Sequence, residues 1–310
     1  MEVFNRRLVR QRRDRAAAGF DDASFLFDEV ASRLIDRLDD TTRRFPAALD
    51  LGCRTGRLAA ALLQGTTGNL GGRGGVEYLV QMELSSDMAT LAARTGWPTV
   101  TADEEALPFA DASFDLVLSN LGLHWVNDLP GALVQIRRTL KPDGLFLATL
   151  FGTETLAELR TSLAEAEIAN DGGLSPRVSP FVDVRDAGAL MQRAGFALPV
   201  VDAETITVSY AEPFKLLTDL RAMAETNAVL ERRKVPLKRT TLVDALARYA
   251  TTFTDEDGRH PATFQIITLT GWAPDASQPQ AMQPGSAQDR LADALGTEEV
   301  SLGEKADPKG

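Results

Sequence analysis

Between about residues 45 and 150, short apolar segments alternate with segments in which apolar residues recur at helical spacing. The first kind is typical of buried strands, and the second is typical of helices that pack on a sheet. Because strands joined by helices form parallel βαβ units, this order strongly limits the folds open to the chain. It predicts an α/β protein with a doubly wound sheet.

Seven strands are predicted in all, and a helical segment separates the last two. The predicted strands are 47–51, 78–82, 98–101, 114–119, 145–150, 205–209 and 263–272. Helical spacing at 213–225 and 240–250 predicts two helices before the last strand. The order favours a seven-stranded, mostly parallel sheet with a reversed edge strand. In such sheets, ligands bind beyond the carboxyl ends of the strands, near the switch in strand order.

The composition changes at both ends of this pattern. Residues 1–45 are predicted to form an N-terminal helical segment, and residues 46–272 an α/β domain with a helical cap inserted at about 210–255. Residues 273–310 hold four prolines and seven acids against three bases, with almost no repeating apolar residues. Such a composition cannot bury enough apolar surface to offset the entropy of ordering. We therefore predict a disordered acidic tail that folding does not require.

The first 20 residues are basic. They contain six arginines against two acids, namely Arg6, Arg7, Arg10, Arg12, Arg13 and Arg15 against Glu2 and Asp14. A mitochondrial presequence, a membrane-surface helix and a helix with a solvated basic face all have this composition. We favour the third interpretation, with the helix packed on the domain through Phe4, Leu8 and Val9.

The overall composition argues against several classes of function. A net charge of −11 is unlike that of an electrostatic nucleic-acid binder, and no apolar run approaches the roughly 20 residues of a membrane span. The single cysteine, Cys53, excludes an internal disulfide framework and a site built from several cysteines. The two histidines, His124 and His260, have no local ligand spacing, so no metal site is expected.

Polar groups follow three successive predicted strands. The first strand ends in LDLGCRTG at residues 49–56, whose glycines allow a tight turn that brings backbone N–H groups close to a ligand. Glu83 follows the second strand and suits the ribose hydroxyls of a nucleoside. Asp103 follows the third strand and suits an adenine amino group. Together these positions match one extended nucleoside ligand better than they match unrelated solvated turns.

Five segments occur in the order of the class I S-adenosylmethionine (SAM)-dependent methyltransferase signature, namely LDLGCRTG, MELS, ADEEALPF, FDLVLSNLGLHWVNDLP and LKPDG. The chain resembles one branch more closely, the mitochondrial complex I assembly factor 5 family and its bacterial relatives. The opening Phe4-Asn5-Arg6 and the segments FGTETLAELR, SPRVSPF, RAGF and PATFQIITLTGW carry this resemblance over about residues 4–272. The family that methylates malonyl-acyl carrier protein fits these later segments less well. The resemblance implies a Rossmann-like class I methyltransferase fold with S-adenosyl-L-methionine as cofactor.

The resemblance also assigns candidate residues. The predicted cofactor-binding residues are Asp50, Gly52, Arg54, Gly56, Glu83, Leu84, Asp103, Glu104, Glu105, Asn120 and Leu121. At position 54 the family core usually has glycine, so arginine there loses backbone freedom. The guanidinium of Arg54 is instead a candidate partner for the methionine carboxylate of SAM.

The segment after the fourth predicted strand, SNLGLHW at residues 119–125, is where this fold usually faces its substrate. Asn120 is a candidate for contact beside the methionine end of SAM. His124 is the candidate catalytic residue, as a general base, because imidazole titrates near neutrality. Apolar neighbours surround it in the sequence, so we favour a structural role, in which His124 and Trp125 hold the loop by packing and hydrogen bonds.

The resemblance implies a protein substrate, a subunit of respiratory complex I, whose side chain is modified during assembly. The fold implies methyl transfer, whereas the family is linked to arginine hydroxylation, and both reactions stay open. Two alternatives are a small-molecule or acyl-carrier-protein O-methyltransferase and a non-catalytic assembly chaperone. Because the resemblance begins at Phe4, we expect no cleaved presequence and a bacterial cytoplasmic location, with peripheral association with the inner membrane left open.

A second basic stretch lies in the predicted insertion. It comprises Arg232, Arg233, Lys234, Lys238 and Arg239. Charge runs are usually solvated connectors. On an acidic protein, however, such a stretch can steer a complementary partner. The second interpretation makes it a docking site for the protein substrate.

Overall fold

The computed structural model describes residues 2–63, 73–279 and 296–297. The chain divides into two units, Met1–Asp275 and Ala276–Gly310, and the helices and strands given below lie in the first. Most of the predicted acidic tail lies outside the described residues, so its disorder stays a prediction.

Seven strands form one sheet, in the order β3-β2-β1-β4-β5-β7-β6. They are β1 (Ala47–Leu51), β2 (Tyr78–Glu83), β3 (Thr99–Thr101), β4 (Phe114–Asn120), β5 (Leu140–Phe151), β6 (Ala197–Tyr210) and β7 (His260–Trp272). β7 runs antiparallel to β5 and β6, whereas the other neighbouring strands are parallel. The predicted seven-stranded, mostly parallel sheet is confirmed.

The prediction of a reversed edge strand is wrong in one respect. The reversed strand, β7, lies between β5 and β6, so the edge strand at this side is β6. β6 and β7 are long and pair from Ala197 opposite Trp272 to Tyr210 opposite His260. In the middle of the sheet, β7 finds hydrogen-bond partners for its backbone on both sides. Apolar alternation in a sequence shows that a strand is half buried, but not which strands are its neighbours.

Helices cover the sheet and connect its strands. The described α-helices are α1 (Arg6–Ala16), α2 (Phe25–Asp36), α3 (Arg57–Leu63), α4 (Ser86–Ala92), α5 (Leu129–Thr139), α6 (Ala157–Asp171), α7 (Val184–Arg193), α8 (Pro213–Ala222) and α9 (Arg239–Thr252). The two helices predicted before the last strand are therefore observed, as α8 and α9. No helix in the described part of the chain is both long and apolar enough to span a membrane.

Alternate residues of the central strand β1 face two different helical layers. Leu49 and Leu51 belong to the apolar cluster that contains α5 and α7, whereas Ala48 belongs to the cluster that contains α2 and α3. Because side chains alternate along a strand, Asp50 points toward the same side as Ala48. The fold thus directs a carboxylate at the end of β1 toward the N-terminal helices.

The switch in strand order falls between β1 and β4. The chain passes from β1 outward to β2 and β3 and then returns to β4 on the other side of β1. Leu51 of β1 lies opposite Met82 of β2, and Asp50 lies opposite Leu118 of β4. The carboxyl ends of these three strands therefore meet at one edge of the sheet, where ligands bind in such folds.

The start of the chain packs on the domain as predicted. The Asn5 side chain caps α1 by accepting a hydrogen bond from the Leu8 N–H at 2.9 Å. Phe4 and Val9 are buried, and Leu8 packs against the same apolar cluster, which includes Trp125. The Phe4 and Trp125 rings meet edge to face with their centres 5.4 Å apart. The N-terminal segment thereby contacts the loop that follows β4.

Candidate active site

The turn after β1 is made by glycines in the left-handed region. Gly52 has a φ of 76° and Gly56 a φ of 87°, values at which residues with a side chain are strained. A Cβ atom on Gly52 would lie 3.3 Å from Gly122 Cα, and one on Gly56 would lie 2.7 Å from Thr95 Cγ2. Backbone conformation and close packing therefore both require glycine at the two predicted positions.

Glu83 ends β2 beside this turn and is fully buried. Its Oε2 accepts a hydrogen bond from the Arg54 backbone N–H at 3.0 Å, and its Oε1 accepts one from the Ser85 N–H at 3.0 Å. Oε1 also accepts from Arg13 Nη1 at 2.9 Å. The structure thus places the predicted ribose-binding carboxylate against the glycine turn, and an arginine of α1 already contacts it.

Arg13 departs furthest from the sequence prediction. Its side chain is 0% exposed, and Nη1 lies 2.9 Å from Glu83 and 3.1 Å from Glu104. Burial opposes its charge, but the two carboxylates outweigh burial and raise the pKa of Arg13. The predicted solvated basic face is therefore wrong for this residue. Arg6 and Arg13 are two helical turns apart, which places both on the inward face that carries Val9, and this spacing was the available signal.

Arg6 binds the acids that follow β3. Its guanidinium donates to Asp103 at 2.6 Å and also to Glu104. Glu104 is fully buried, and although burial opposes its charge, Arg6 and Arg13 lower its pKa to about 2. The predicted adenine acceptor, Asp103, is therefore in an ion pair with α1. Its role in cofactor binding stays a prediction.

Two further residues of the predicted cofactor site, Glu105 and Leu84, have contacts that involve the N-terminal segment. The Glu105 carboxylate accepts a hydrogen bond from the Asn127 backbone N–H at 2.7 Å. Asn127 in turn accepts from the Val3 and Phe4 N–H groups, each at 2.7 Å, so it fixes the start of the chain. Leu84 is buried in the apolar cluster around Phe4. These contacts hold the N-terminal segment in place, and the predicted cofactor contacts of Glu105 and Leu84 stay predictions.

Asp50 is fully buried, and neither carboxylate oxygen has a hydrogen-bond partner among the described residues. Burial, with a further contribution from Glu83, raises its pKa to about 8. Asp50 lines a cavity of about 10 Å³ together with Gly52, Arg54 and Asn120. SAM carries a sulfonium and an ammonium group, and a cation bound beside Asp50 would lower this pKa and favour the charged carboxylate. The residues around this cavity therefore fit SAM.

The cavity is much smaller than the roughly 300–1,000 Å³ that ligand pockets usually have. Phe20 and Phe27, from the N-terminal segment, form part of its wall. Beside the cavity, Arg13 of α1 donates a hydrogen bond to the Glu83 carboxylate. In the predicted binding mode, the ribose of SAM would compete with Arg13 for that carboxylate, and Arg13 is a contact that α1 makes with the predicted cofactor site.

Arg54 has a strained backbone. Its φ of 53° is left-handed, which costs roughly 1–2 kcal/mol for a residue with a Cβ atom. Its Nη2 donates to Glu225 Oε1 at 2.6 Å and to the Leu121 carbonyl oxygen at 3.3 Å. Nε and Nη1 have no hydrogen-bond partner in the described part of the chain. The predicted contact of Arg54 with the methionine carboxylate of SAM therefore stays a prediction.

Asn120 and Leu121 come at the end of β4. The Asn120 amide is held on both sides, because Nδ2 donates to the Phe27 carbonyl oxygen at 2.8 Å and Oδ1 accepts from the Thr149 hydroxyl at 3.1 Å. Leu121 is left-handed, with a φ of 50°, and its carbonyl oxygen accepts from Arg54. Two strained residues thus meet at this point, and such strain clusters at functional sites.

His124 lies in a short helical turn after β4. Its Nε2 lies 2.9 Å from Glu225 Oε2, and Trp125 Nε1 donates to the same oxygen at 2.9 Å. Burial lowers the pKa of His124 below its usual value although Glu225 opposes this effect, so the ring is neutral at pH 7. Because an ionised carboxylate only accepts, Nε2 carries the proton and Nδ1 keeps its lone pair. The contacts agree with the favoured structural role, and the free lone pair is what a general base requires.

Glu225 is a site residue that the sequence analysis missed. It accepts hydrogen bonds from Arg54, His124 and Trp125, and although burial opposes its charge, His124 and Arg54 lower its pKa to about 2. After α8 ends, Ala224 adopts a left-handed φ of 61° and turns the chain inward. Glu225 lies 101 residues from His124 and 171 from Arg54 along the chain, and a single acid after a helix gives no signal of such contacts.

A second cavity, of about 230 Å³, adjoins this carboxylate. Its apolar walls are Leu156, Leu159, Leu163, Phe181, Leu217 and Leu220. Glu225 lines this second cavity, and Arg54 lines the first. The ion pair of these two residues therefore lies between the predicted cofactor site and a mostly apolar pocket beneath the inserted helices.

The sequence matches the family described as Methyltransferase domain over residues 49–148, which include the glycine turn and the acids after β2 and β3. The human protein named arginine-hydroxylase NDUFAF5, mitochondrial, is 43% identical over 291 residues, or 93% of this chain and 81% of that protein. The protein of that name from Danio rerio is 41% identical over 297 residues, or 94% of this chain and 89% of that protein. The chain belongs to the NDUFAF5 family.

A second group is related to this NDUFAF5 family member at lower identity. The malonyl-[acyl-carrier protein] O-methyltransferase of Halorhodospira halophila is 35% identical over 292 residues, or 93% of this chain and 94% of that protein. Among solved structures, a putative methyltransferase from Bacillus halodurans C-125 has a TM-score of 0.53 at 16% identity, and the match covers 78% of this chain and 99% of that one. Together these matches confirm the predicted resemblance, the class I fold, the methyltransferase type of enzyme and SAM as its cofactor.

Replacing Arg13 with methionine should lower the free energy of unfolding by about 3 kcal/mol. The reason is that Glu83 loses its ionic partner and Glu104 keeps only Arg6, inside a buried site. Arg10 is exposed on the same helix, so Arg10→Met should change stability by less than about 0.5 kcal/mol. Urea denaturation measures both variants, and equal stabilities would contradict the structural role of Arg13.

The stability of the protein should depend on pH through Asp50. In the unfolded chain this carboxyl loses its proton near pH 3.8, whereas in the folded protein it keeps the proton to about pH 8. Between these values the folded state binds more protons, so this contribution is complete below about pH 4 and is lost as pH rises to 8. Asp50→Asn cannot ionise, so its gain in melting temperature over the unchanged protein should grow from pH 5.5 to about pH 8. Asp87→Asn, at an exposed position, is the control, and a gain independent of pH would contradict the burial of the charge.

Proposed function

We propose that this protein is a SAM-binding enzyme that modifies an arginine side chain of a respiratory complex I subunit during assembly of that complex, by hydroxylation with dioxygen and two electrons from an external donor. Relatives more than 40% identical over nearly the whole chain are named arginine hydroxylases, which supports the reaction. The observation that carries the proposal is the meeting of two cavities at the Arg54–Glu225 ion pair. The proposal includes a cytoplasmic location, close to the inner membrane.

The first cavity would hold the cofactor. The glycine turn, the unpaired carboxylate of Asp50 and the carboxylate of Glu83 would bind SAM once Arg13 has left Glu83. When bound there, SAM would supply an electrophilic methyl group on a cationic sulfur for methyl transfer, whereas hydroxylation would take its oxygen atom from dioxygen, whose second atom leaves as water. The hydrogen bonds of Asn120 to α2 and β5 keep the cavity wall in place.

The second cavity offers apolar walls and one carboxylate to an arginine side chain, and of the two arginines that also line it, Arg177 is paired with Glu167 at 2.6 Å. The leucines and Phe181 of the cavity suit the three methylene groups of arginine, and the charged carboxylate of Glu225 suits the guanidinium. Two carboxylate oxygens offer about four acceptor positions, of which Arg54, His124 and Trp125 occupy three. One acceptor position on Glu225 is therefore left for a substrate donor.

His124 would handle the proton of the bound side chain. Its Nδ1 has a lone pair and no partner among the described residues, and the ring is held by the Phe151 ring with centres 4.7 Å apart. Glu225 fixes the tautomer by accepting from Nε2, as a carboxylate does for the imidazole of many general bases. The imidazole can thus accept a proton at Nδ1 without leaving its place.

Methyl transfer to the carboxyl group of an acyl-carrier-protein substrate is the second candidate function. The relative that is 35% identical and named malonyl-[acyl-carrier protein] O-methyltransferase favours it. A third candidate, an assembly chaperone without catalysis, would bind the same subunit and leave it unmodified. The mass of the product distinguishes these three functions.

Mass spectrometry of complex I subunits should show one added oxygen atom on an arginine in cells that carry this gene, and none in cells that lack it. Glu225→Gln should abolish the modification because the amide has no charge to hold the guanidinium. Glu231→Gln, at an exposed position nearby, is the matched control and should retain it. An added methyl group would favour the second candidate, and an unmodified subunit that still binds the protein would favour the third.

SAM affinity should depend on Glu83. Loss of two charge-assisted hydrogen bonds in Glu83→Ala should cost roughly 3 kcal/mol, or about a hundredfold in dissociation constant. Glu83→Gln keeps one acceptor and should lose about tenfold. Glu77→Ala removes an exposed acid before the same strand and should leave the affinity unchanged. Titration calorimetry measures all three, and an unchanged affinity in Glu83→Ala would remove Glu83 from the site.

A further inference from the structure

A groove of about 700 Å³ lies between the end of α1 and α8, outside the two cavities. Three arginines line it, Arg12 and Arg15 from α1 and Arg221 from α8, and none of its lining residues is acidic. The protein as a whole has a net charge of −11. The groove is therefore positively charged, although the protein as a whole is negatively charged.

No described acid forms an ion pair with the arginines of this groove, and Glu225 acts on Arg12 only at longer range. Arg15 and Arg221 are exposed, and their guanidinium groups have no partner in the part of the chain that the structure describes. Arg12 is fixed by donating to the carbonyl oxygens of Thr226 and Asn227, the latter at 2.6 Å. Burial, together with repulsion from Arg232 and Arg15, lowers the pKa of Arg12 to about 10. Cations held close together in this way attract anions.

The basic stretch at 232–239 differs from the groove. Arg233 forms an ion pair with Asp171 at 2.8 Å, and Lys238 forms one with the same residue at 2.5 Å. Arg233 also lies 3.5 Å from Glu167. Acids of α6 thus pair with two of the five basic residues of this stretch, whereas Arg232, Lys234 and Arg239 form no ion pair with the described residues. Arg232 lies close enough to Arg12 to repel its charge, so the unpaired part of the stretch adds to the positive charge of the groove.

The groove adjoins the second cavity. Arg221 and Thr226 line both of them, and Glu225 lies in the wall of the cavity only. A chain bound in the groove could therefore place a neighbouring side chain in the cavity, close to His124 and Glu225.

We propose that the groove docks an acidic peptide segment of the protein substrate, adjacent in sequence to the arginine that enters the second cavity. This inference rests on the proposed function and adds a recognition rule to it. Arginine donates two parallel hydrogen bonds to a carboxylate, so three arginines select a segment with several aspartate or glutamate residues. The attraction acts over a distance comparable to the Debye length and weakens as salt rises.

The test uses the full-length protein and a fluorescein-labelled peptide with one arginine followed by six glutamates. Fluorescence anisotropy at low salt should show at least about tenfold weaker binding to the double variant Arg15→Glu/Arg221→Glu. The control, Arg7→Glu/Arg10→Glu, makes the same change of charge at exposed positions of α1 outside the groove. It should bind the peptide within about threefold of the unchanged protein. Melting temperature and SAM affinity should be the same in both variants.

Equal weakening by the two double variants would overturn the proposal, because it would show attraction by net charge alone. Tighter binding of a holo acyl carrier protein than of the peptide, lost in Arg15→Glu/Arg221→Glu, would also overturn it in favour of a carrier-protein partner. The proposed function is judged separately, by the added oxygen atom in complex I subunits. If the peptide binds in the groove but complex I subunits carry no added oxygen, the proposed hydroxylation is wrong and the proposed docking in the groove stands. If the subunit is modified to the same extent in Arg15→Glu/Arg221→Glu, the proposed docking in the groove is wrong and the proposed hydroxylation stands.

Discussion

The pairing of buried charges at the strand ends is the constraint on which the rest of the site depends. Glu83 and Glu104 are fully buried, and a buried carboxylate keeps its charge when a cation is in hydrogen-bonding contact with it. Arg13 supplies that cation from the N-terminal helix. The position of α1 follows from this need, and so does the closure of the predicted cofactor site. If SAM binds Glu83 as proposed, it competes with Arg13, and cofactor affinity would then be coupled to the stability of α1.

A second buried ion pair links this site to the helices inserted before β7. Glu225 receives hydrogen bonds from Arg54, His124 and Trp125, so the segment after α8 and the loops after β1 and β4 share one anchor. Breaking such a buried pair strongly destabilises a protein, which keeps the wall between the two cavities rigid. Asp50 lines the cavity without a hydrogen-bond partner in the described residues and keeps its proton to about pH 8, and a cation bound beside it would release that proton.

Local features of the sequence determined the strands, the helices and the tight turn after β1. Apolar periodicity predicted the seven strands and the helices before β7, because burial of one face repeats at fixed spacing within each element. The glycines at 52 and 56 were identified because a turn directly after a strand is set by its own backbone angles. Glu83 was found for the same reason, since the end of a strand and the residue there are adjacent in the chain. The N-terminal packing of Phe4 and Val9 also followed from local pattern.

Tertiary structure alone decided which charged groups meet. In the sequence, Arg13 resembles the five other arginines of its segment, yet the fold buries it against Glu83, 70 residues away. Glu225 is a single acid after a helix until an inward turn at Ala224 brings it to His124. The sequence also did not show that β7 lies inside the sheet, because the residues of a strand do not specify which strands pair with it. Periodicity reports burial along one element, whereas ion pairs and strand neighbours join elements distant in sequence, and only the packed chain brings them together.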